Sequence, residues 1–272
     1  VAPLEKEIMD CARRLSENHP MLIIEGTGHA GVGSCFSLSN ARVAELIGTK
    51  VIIVTSGGIG KPIDEVAVNM SLFKNHDVEI LGVVLNKVLH SKYEKITKTV
   101  SRGLQNIGTR LLGSIPYVPE LTYFQVAQLV EKYDYEVISG TDALSNRIER
   151  VIVSAMQPEK AREYIQKNTL VIIPSDRPEN IRSSVEGLNC CGKANGAIIL
   201  SGELELDSAL QDYLEESGIP VLASREDTFS ISARMVDLEF KIRSFDRDKI
   251  QILKDLTEEY VDLDYILNAL DE

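Results

Sequence analysis

Short apolar runs of strand length alternate along this chain with longer stretches in which apolar side chains recur every three or four positions. The runs MLIIE (21–25), KVIIVTS (50–56), EILGVVLN (79–86) and RLLGSIP (110–116) predict four strands, with helices over 40–47, 62–75 and 91–107 between them. Such alternation predicts a doubly wound, mostly parallel α/β sheet whose strands are buried on both faces. A second series follows the Ser139-Gly140-Thr141-Asp142 turn: strands over 150–156, 170–175, 196–202 and 220–224, each leading into a helical stretch. The expected organisation is a first α/β domain over 1–140, a smaller α/β domain over 141–245 and a helical tail over 246–272. Residues 4–15 predict an amphipathic helix ahead of the first strand. In the tail, Ile250, Leu253, Leu256, Tyr260, Ile266 and Leu267 predict the buried face of two acidic helices.

The chain has 272 residues, with 41 acidic and 29 basic side chains for a formal charge of −12. A surplus of this sign repels a phosphate backbone, and no basic stripe offsets it, so a nucleic-acid partner is not expected. The longest apolar runs fall far short of the roughly 20 residues that a membrane helix needs, so no membrane partner is expected either. Four cysteines, two of them adjacent, show neither zinc-knuckle spacing nor the density of a disulfide scaffold, which points to a reducing, cytoplasmic setting. The chain opens on Val-Ala-Pro, and the expectation is that a segment upstream has been removed.

Three segments carry candidate chemistry. Glu25 ends the run MLIIE and is followed by Gly26, Thr27, Gly28 and His29. A carboxylate there could hold Mg²⁺, and glycine amides bring backbone donors close to an anion, while His29 reads equally well as an exposed loop residue. The spacing Gly26, Gly28, Gly31 matches a dinucleotide fingerprint only formally, because no helix opens at its last glycine. In Ser56-Gly57-Gly58-Ile59-Gly60-Lys61-Pro62, a phosphate loop would need glycine in place of Thr55 and a hydroxyl in place of Pro62. Pro62 reads instead as the first residue of a helix. Finally, Asn86 and Lys87 leave the third run, and Pro116 closes the fourth. An Asn amide can meet a purine edge, a Lys stem can cover the ring, and the carbonyl before a proline can accept from the base.

Taken in order, IIEGTGHAGVGS, VIIVTSGGIGKPIDE, GVVLNKV and LLGSIPYVPEL resemble the later part of dethiobiotin synthetase-like P-loop NTPases. That superfamily includes cobyrinic acid a,c-diamide synthase and the amino-terminal region of long phosphate acetyltransferases. The second series resembles a DRTGG domain: Ser175-Asp176-Arg177-Pro178-Glu179 keeps the Asp-Arg pair, and SAMQPEKAREYI, GAIILSGELE and DTFSISARM fit around it. The resemblance implies Glu25 as the Mg²⁺ carboxylate and Gly26, Thr27, Gly28 and His29 as the substrate loop. It also implies Asn86, Lys87 and Pro116 as the nucleotide-binding edge, and Asp176 and Arg177 as ligand residues of the second domain. The family's first strand and its Walker A loop would lie upstream of residue 1, so ATP and Mg²⁺ are expected as cofactors only with that segment present.

Two functions follow. One is a nucleotide-responsive regulatory or ligand-sensing protein like the front region of phosphate acetyltransferase, with no catalytic residue in this chain and a small-molecule or nucleotide ligand. The other is a portion of an ATP-dependent, Mg-requiring ligase of the dethiobiotin synthetase type. The resemblance also implies a homodimer.

Overall fold

The computed structural model describes residues 2–192, 195–204, 206–236 and 238–271. In chain order its main elements are helices α1 (Ala2–Asn18) and α2 (Asn40–Ile47), strand β1 (Val51–Ser56), α3 (Gly60–Asn75), β2 (Ile80–Val88), α4 (Tyr93–Asn106) and β3 (Leu111–Pro116). There follow β4 (Phe124–Gln125), α5 (Val126–Tyr133), β5 (Glu136–Ser139), β6 (Arg147–Ile148), β7 (Arg150–Val153), α6 (Pro158–Arg162), β8 (Thr169–Pro174) and α7 (Pro178–Cys190). The chain ends with β9 (Ala197–Ser201), α8 (Ser208–Ser217), β10 (Val221–Ser224), α9 (Thr228–Val236), α10 (Arg247–Tyr260) and α11 (Leu263–Asp271).

These elements form two units: Val1–Val118 with Arg247–Glu272, and Pro119–Asp246. The division corrects the domain bounds expected from sequence. Residues 119–140 belong to the second unit, because β5 is an edge strand of its sheet, antiparallel to β10 with Leu222 opposite Val137. The Gly140 turn is therefore interior to that unit. Gly140 adopts φ 70°, and a Cβ there would lie 2.4 Å from the Ile219 carbonyl, so the turn is packed tightly and is no linker.

In the first unit β1, β2 and β3 form a parallel sheet in that order. The apolar stripes of α3 and α4 (Val66 and Met70; Ile96, Val100 and Leu104) cover one face, against Val83 and Leu85. The tail covers the other face, where Tyr265, Ile266 and Ala269 meet Leu81, Val84 and Leu112. The tail is thus a layer of the first unit. Its inward face differs from the expected one, since Leu253 and Leu267 are exposed and Ala269 is buried. After Val261, α11 opens in a new direction, with the Asp262 carboxylate accepting from the Tyr265 amide, so a single stripe does not run through both helices.

Residues 21–25 do not form the expected first strand. Of the described strands, β1 pairs only with β2, so this segment has no ladder to join, and Ile23 is 82% exposed. Ile23 and Ile24 instead line an open apolar groove with Leu4, Leu15 and Ile47. The first sheet consequently has three strands, not four. Helix α3 opens at Gly60, so Pro62 is its third residue and not its first.

The second unit carries a five-stranded sheet, β5-β10-β9-β8-β7, parallel except for β5. Sequential strands lie side by side, so right-handed crossovers place α6, α7 and α8 on one face. There Ile165, Ile181, Val185, Leu188, Leu210 and Leu214 bury against Val171, Ile173 and Ile198. Helices α5 and α9 close the other face over Leu170, Ile172 and Ile199.

Candidate functional site

Parallel strands end on a common edge, and in the first unit that edge is held in tight register. Ser56 lies opposite Asn86, and Val88 opposite Pro116. The Gly57 amide donates to the Asn86 carbonyl at 2.7 Å, and the Tyr117 amide to the Val88 carbonyl at 2.8 Å. The three strand ends are thereby stitched together. A Cβ on Gly57 would stand 2.7 Å from Val88 Cα and 2.9 Å from the Lys87 carbonyl oxygen, so only glycine lets β1 leave the sheet beside β2. Lys87 takes a left-handed conformation, φ 59°, and the Asn86 Oδ1 accepts from its amide at 2.9 Å. That bond uses the carbonyl side of the Asn86 amide. Asn86 is half-buried, Lys87 exposed and Pro116 buried. The structure therefore brings Asn86, Lys87 and Pro116 together as the sequence predicts.

Glu25 and the glycine loop form a different group. Asn40, the first residue of α2, donates its Nδ2 to the carbonyls of Thr27 (3.0 Å) and His29 (2.9 Å). Asn69 of α3 accepts from the Ala30 amide at 2.7 Å. The Gly31 amide donates to His29 Nδ1 at 3.1 Å, which places the imidazole proton of the neutral ring on Nε2. Gly28 has φ 72°, and a Cβ on Gly26 would touch the Asn40 amide at 3.2 Å. Gly26, Thr27, Gly28 and His29 are thus an exposed loop clamped by two asparagines. Sequence reasoning missed both clamps, since an Asn opening a helix reads as a cap and Asn69 sits within a helix that its neighbours explain.

Glu25 is exposed and, because residues 21–25 make no strand, it does not stand at the end of one. Among the described residues no group of three or more His, Cys, Asp or Glu side chains could hold a metal ion. The donors present do not build a cage for Mg²⁺; Glu25 offers one carboxylate.

In the second unit Asp176 and Arg177 follow β8, both exposed and 3.6 Å apart. Beneath them lies a buried polar layer that sequence reasoning also missed. The Nδ2 of Asn180 donates to Ser154 Oγ at 2.9 Å and to the Met156 carbonyl at 2.8 Å. Ser201 Oγ and Thr228 Oγ1 share a bond of 2.7 Å, and the Ser175 hydroxyl donates to the Glu203 carbonyl. These bonds tie the carboxyl ends of β7, β8 and β9 to the starts of α7 and α9. The one available signal was Asn180 just inside a helix that opens on Pro178.

Comparison with known proteins places these two units. Residues 2–125 match an AAA domain family, and residues 128–238 match the DRTGG domain family. The chain is 24% identical over 268 residues to a phosphate acetyltransferase of Synechocystis sp., covering 95% of this chain and 38% of that protein. It is 23% identical over 271 residues to the phosphate acetyltransferase of Nitratidesulfovibrio vulgaris, covering 96% of this chain and again 38% of the relative. The chain thus spans well under half the length of these relatives. Among solved structures it is similar to the CBS and DRTGG domains of the regulatory region of a Clostridium perfringens pyrophosphatase complexed with the activator diadenosine tetraphosphate. That similarity has a TM-score of 0.35 at 16% identity and covers 69% of this chain and 73% of the other. The chain is a P-loop NTPase-like AAA domain followed by a DRTGG domain, the arrangement found in the amino-terminal region of phosphate acetyltransferases.

Proposed function

We propose that this chain is a nucleotide-responsive, ligand-sensing regulatory region, in which the first unit takes a purine nucleotide and the DRTGG unit takes a small-molecule or nucleotide ligand. The observation that carries this reading is the register at the first edge. Ser56 opposite Asn86 and Val88 opposite Pro116 bring the Asn86 amide and Pro116 to one strand-end edge, an arrangement suited to a base edge. The DRTGG match and the exposed Asp176–Arg177 pair above a rigid polar layer support a second ligand site.

The reading extends to cofactors and partners. The Gly57–Gly60 turn supplies amides at the start of α3 but no lysine followed by a hydroxyl, so the phosphates of ATP find few donors in these residues. ATP with Mg²⁺ would bind tightly only with an upstream phosphate loop. The protein works in the cytoplasm as a homodimer.

Calorimetric titration of the 272-residue chain tests the reading. Adenosine should bind weakly, and Asn86→Ala should lower that affinity by about tenfold, the worth of one or two hydrogen bonds in a partly buried site. Equal affinity in the variant, or micromolar ATP binding unaffected by it, would reject this edge as the base site.

A further inference from the structure

We propose that α10 positions the base edge of the first unit through Tyr260 and Tyr93. The proposal rests on the nucleotide reading only for what the edge binds; the relay itself is a matter of packing.

The second unit is an insertion. Val118, two residues beyond β3, is followed directly by Pro119 of the second unit, and Asp246 is followed directly by Arg247 at the start of α10. The 128 residues Pro119–Asp246 are therefore tethered at both ends to elements of the first unit. One tether is the carboxyl end of β3, which carries Pro116. The other is α10, whose far end returns to β3.

That return is close. Val261 bridges antiparallel to Gly113, and the Asp262 amide donates to the Leu112 carbonyl at 2.8 Å. A Cβ on Gly113 would fall 2.3 Å from the Tyr260 carbonyl oxygen, so the backbone at the end of α10 lies directly against β3. Tyr260 then meets Tyr93 edge to face, with centroids 6.0 Å apart and planes at 72°. Tyr93 in turn donates its hydroxyl to the Ser114 carbonyl at 2.6 Å, two residues before Pro116. Tyr93 also opens α4, just beyond the Asn86-Lys87-Val88 strand end. One residue thus bonds to the β3 half of the base edge and opens the helix that follows the β2 half, and Tyr260 of α10 packs on its ring. Displacing α10 frees Tyr93, and with it the register of Pro116 against Val88. Neither family match reaches this segment, since the DRTGG match stops at residue 238.

Hydrogen exchange on the full chain, read by mass spectrometry over peptides 86–93 and 113–118, tests the relay. Tyr93→Phe removes only the hydroxyl and should speed exchange in 113–118 by about threefold to tenfold, the worth of one hydrogen bond. Exchange in β8 should stay unchanged. Tyr260→Ala should speed both peptides, whereas Tyr260→Phe, which keeps the ring edge, should not. Tyr260→Leu keeps apolar bulk without the ring and serves if the alanine variant fails to fold. Unchanged exchange in the Tyr260→Ala and Tyr260→Leu variants, or faster exchange in Tyr260→Phe, would overturn the proposal. Absence of adenosine binding with the exchange pattern intact would reject the nucleotide reading and leave the relay standing.

Discussion

Arg110 lays its guanidinium 3.8 Å from the centroid of the Tyr265 ring and reaches the Asp262 carboxylate at 3.6 Å, fastening the start of β3 to α11. The pair is half-exposed, so the ion pair itself contributes little, and the stacked contact contributes more. Arg110→Ala should lower the stability of the first unit by about 1 kcal/mol. Arg110→Lys should recover only part of the loss, since an ammonium lacks the flat face that stacks on the ring. Hydrogen exchange in β1, β2 and β3 measured as denaturant is added reads both, and equal stability of the alanine variant would show that the stack is idle.

Gly57 gives a larger effect at a site with no side chain. Gly57→Ala forces a methyl group to within 2.7 Å of backbone, where nothing flexible can give way. The expected cost is about 1–3 kcal/mol, the range for overpacking a tight site. Loss of adenosine binding should accompany it, because β1 and β2 separate where Asn86 is held. A variant that melts with the native protein would show that the edge is looser than its geometry.

Ser114 points the other way. It is 3% exposed, and its Oγ has no hydrogen-bond partner among the described residues. A buried, unpaired hydroxyl is a cost, so Ser114→Ala should leave stability unchanged or raise it by up to about 1 kcal/mol. The Tyr93 bond goes to the backbone carbonyl and survives the change. A clear loss of stability in this variant would contradict the assignment of that hydroxyl as unpaired.

Acid should loosen α2 before the sheets. The Arg42 guanidinium, and after it His76, hold the Glu45 carboxyl below its ordinary value of 4.5. Arg42 stands 2.9 Å away and His76 Nδ1 2.6 Å. A carboxyl whose pKa is lowered on folding stabilises the fold above 4.5, and that contribution is lost as pH falls through the lower, folded value. Glu45→Gln should flatten the stability profile on the acid side of 4.5 and lower stability by a constant amount above it, with no change of slope there. An acid limb identical to that of the native chain would assign the loss to other carboxyls.

The parts legible in the sequence were those whose signal is local. β2, β8 and β9 are apolar runs buried on both faces, and they stand where the runs predict them. The Asn86 and Pro116 ends followed, because strand ends of parallel units share an edge. Residues 21–25 have the same apolar run, yet a strand also needs a neighbour to bond, and no run of letters shows whether one is there. The boundary was misplaced because Gly140 announces a turn without saying what packs on it. The asparagine clamps at Asn40 and Asn69, and the Asn180 layer, depend on groups 11 to 39 residues away, beyond the reach of periodicity.

The insertion of the second unit also fixes an order of events during synthesis. Residues 1–118 leave the ribosome before residues 119–272, and among the described residues the cover of the β1-β2-β3 face bearing Leu81, Val84 and Leu112 comes from residues 247–271. The second unit, continuous in sequence, is complete before that moment. The earlier-made half of the protein must therefore wait, apolar face open, while the later-made half folds, and the nascent chain is most exposed to chaperones and to aggregation in that interval.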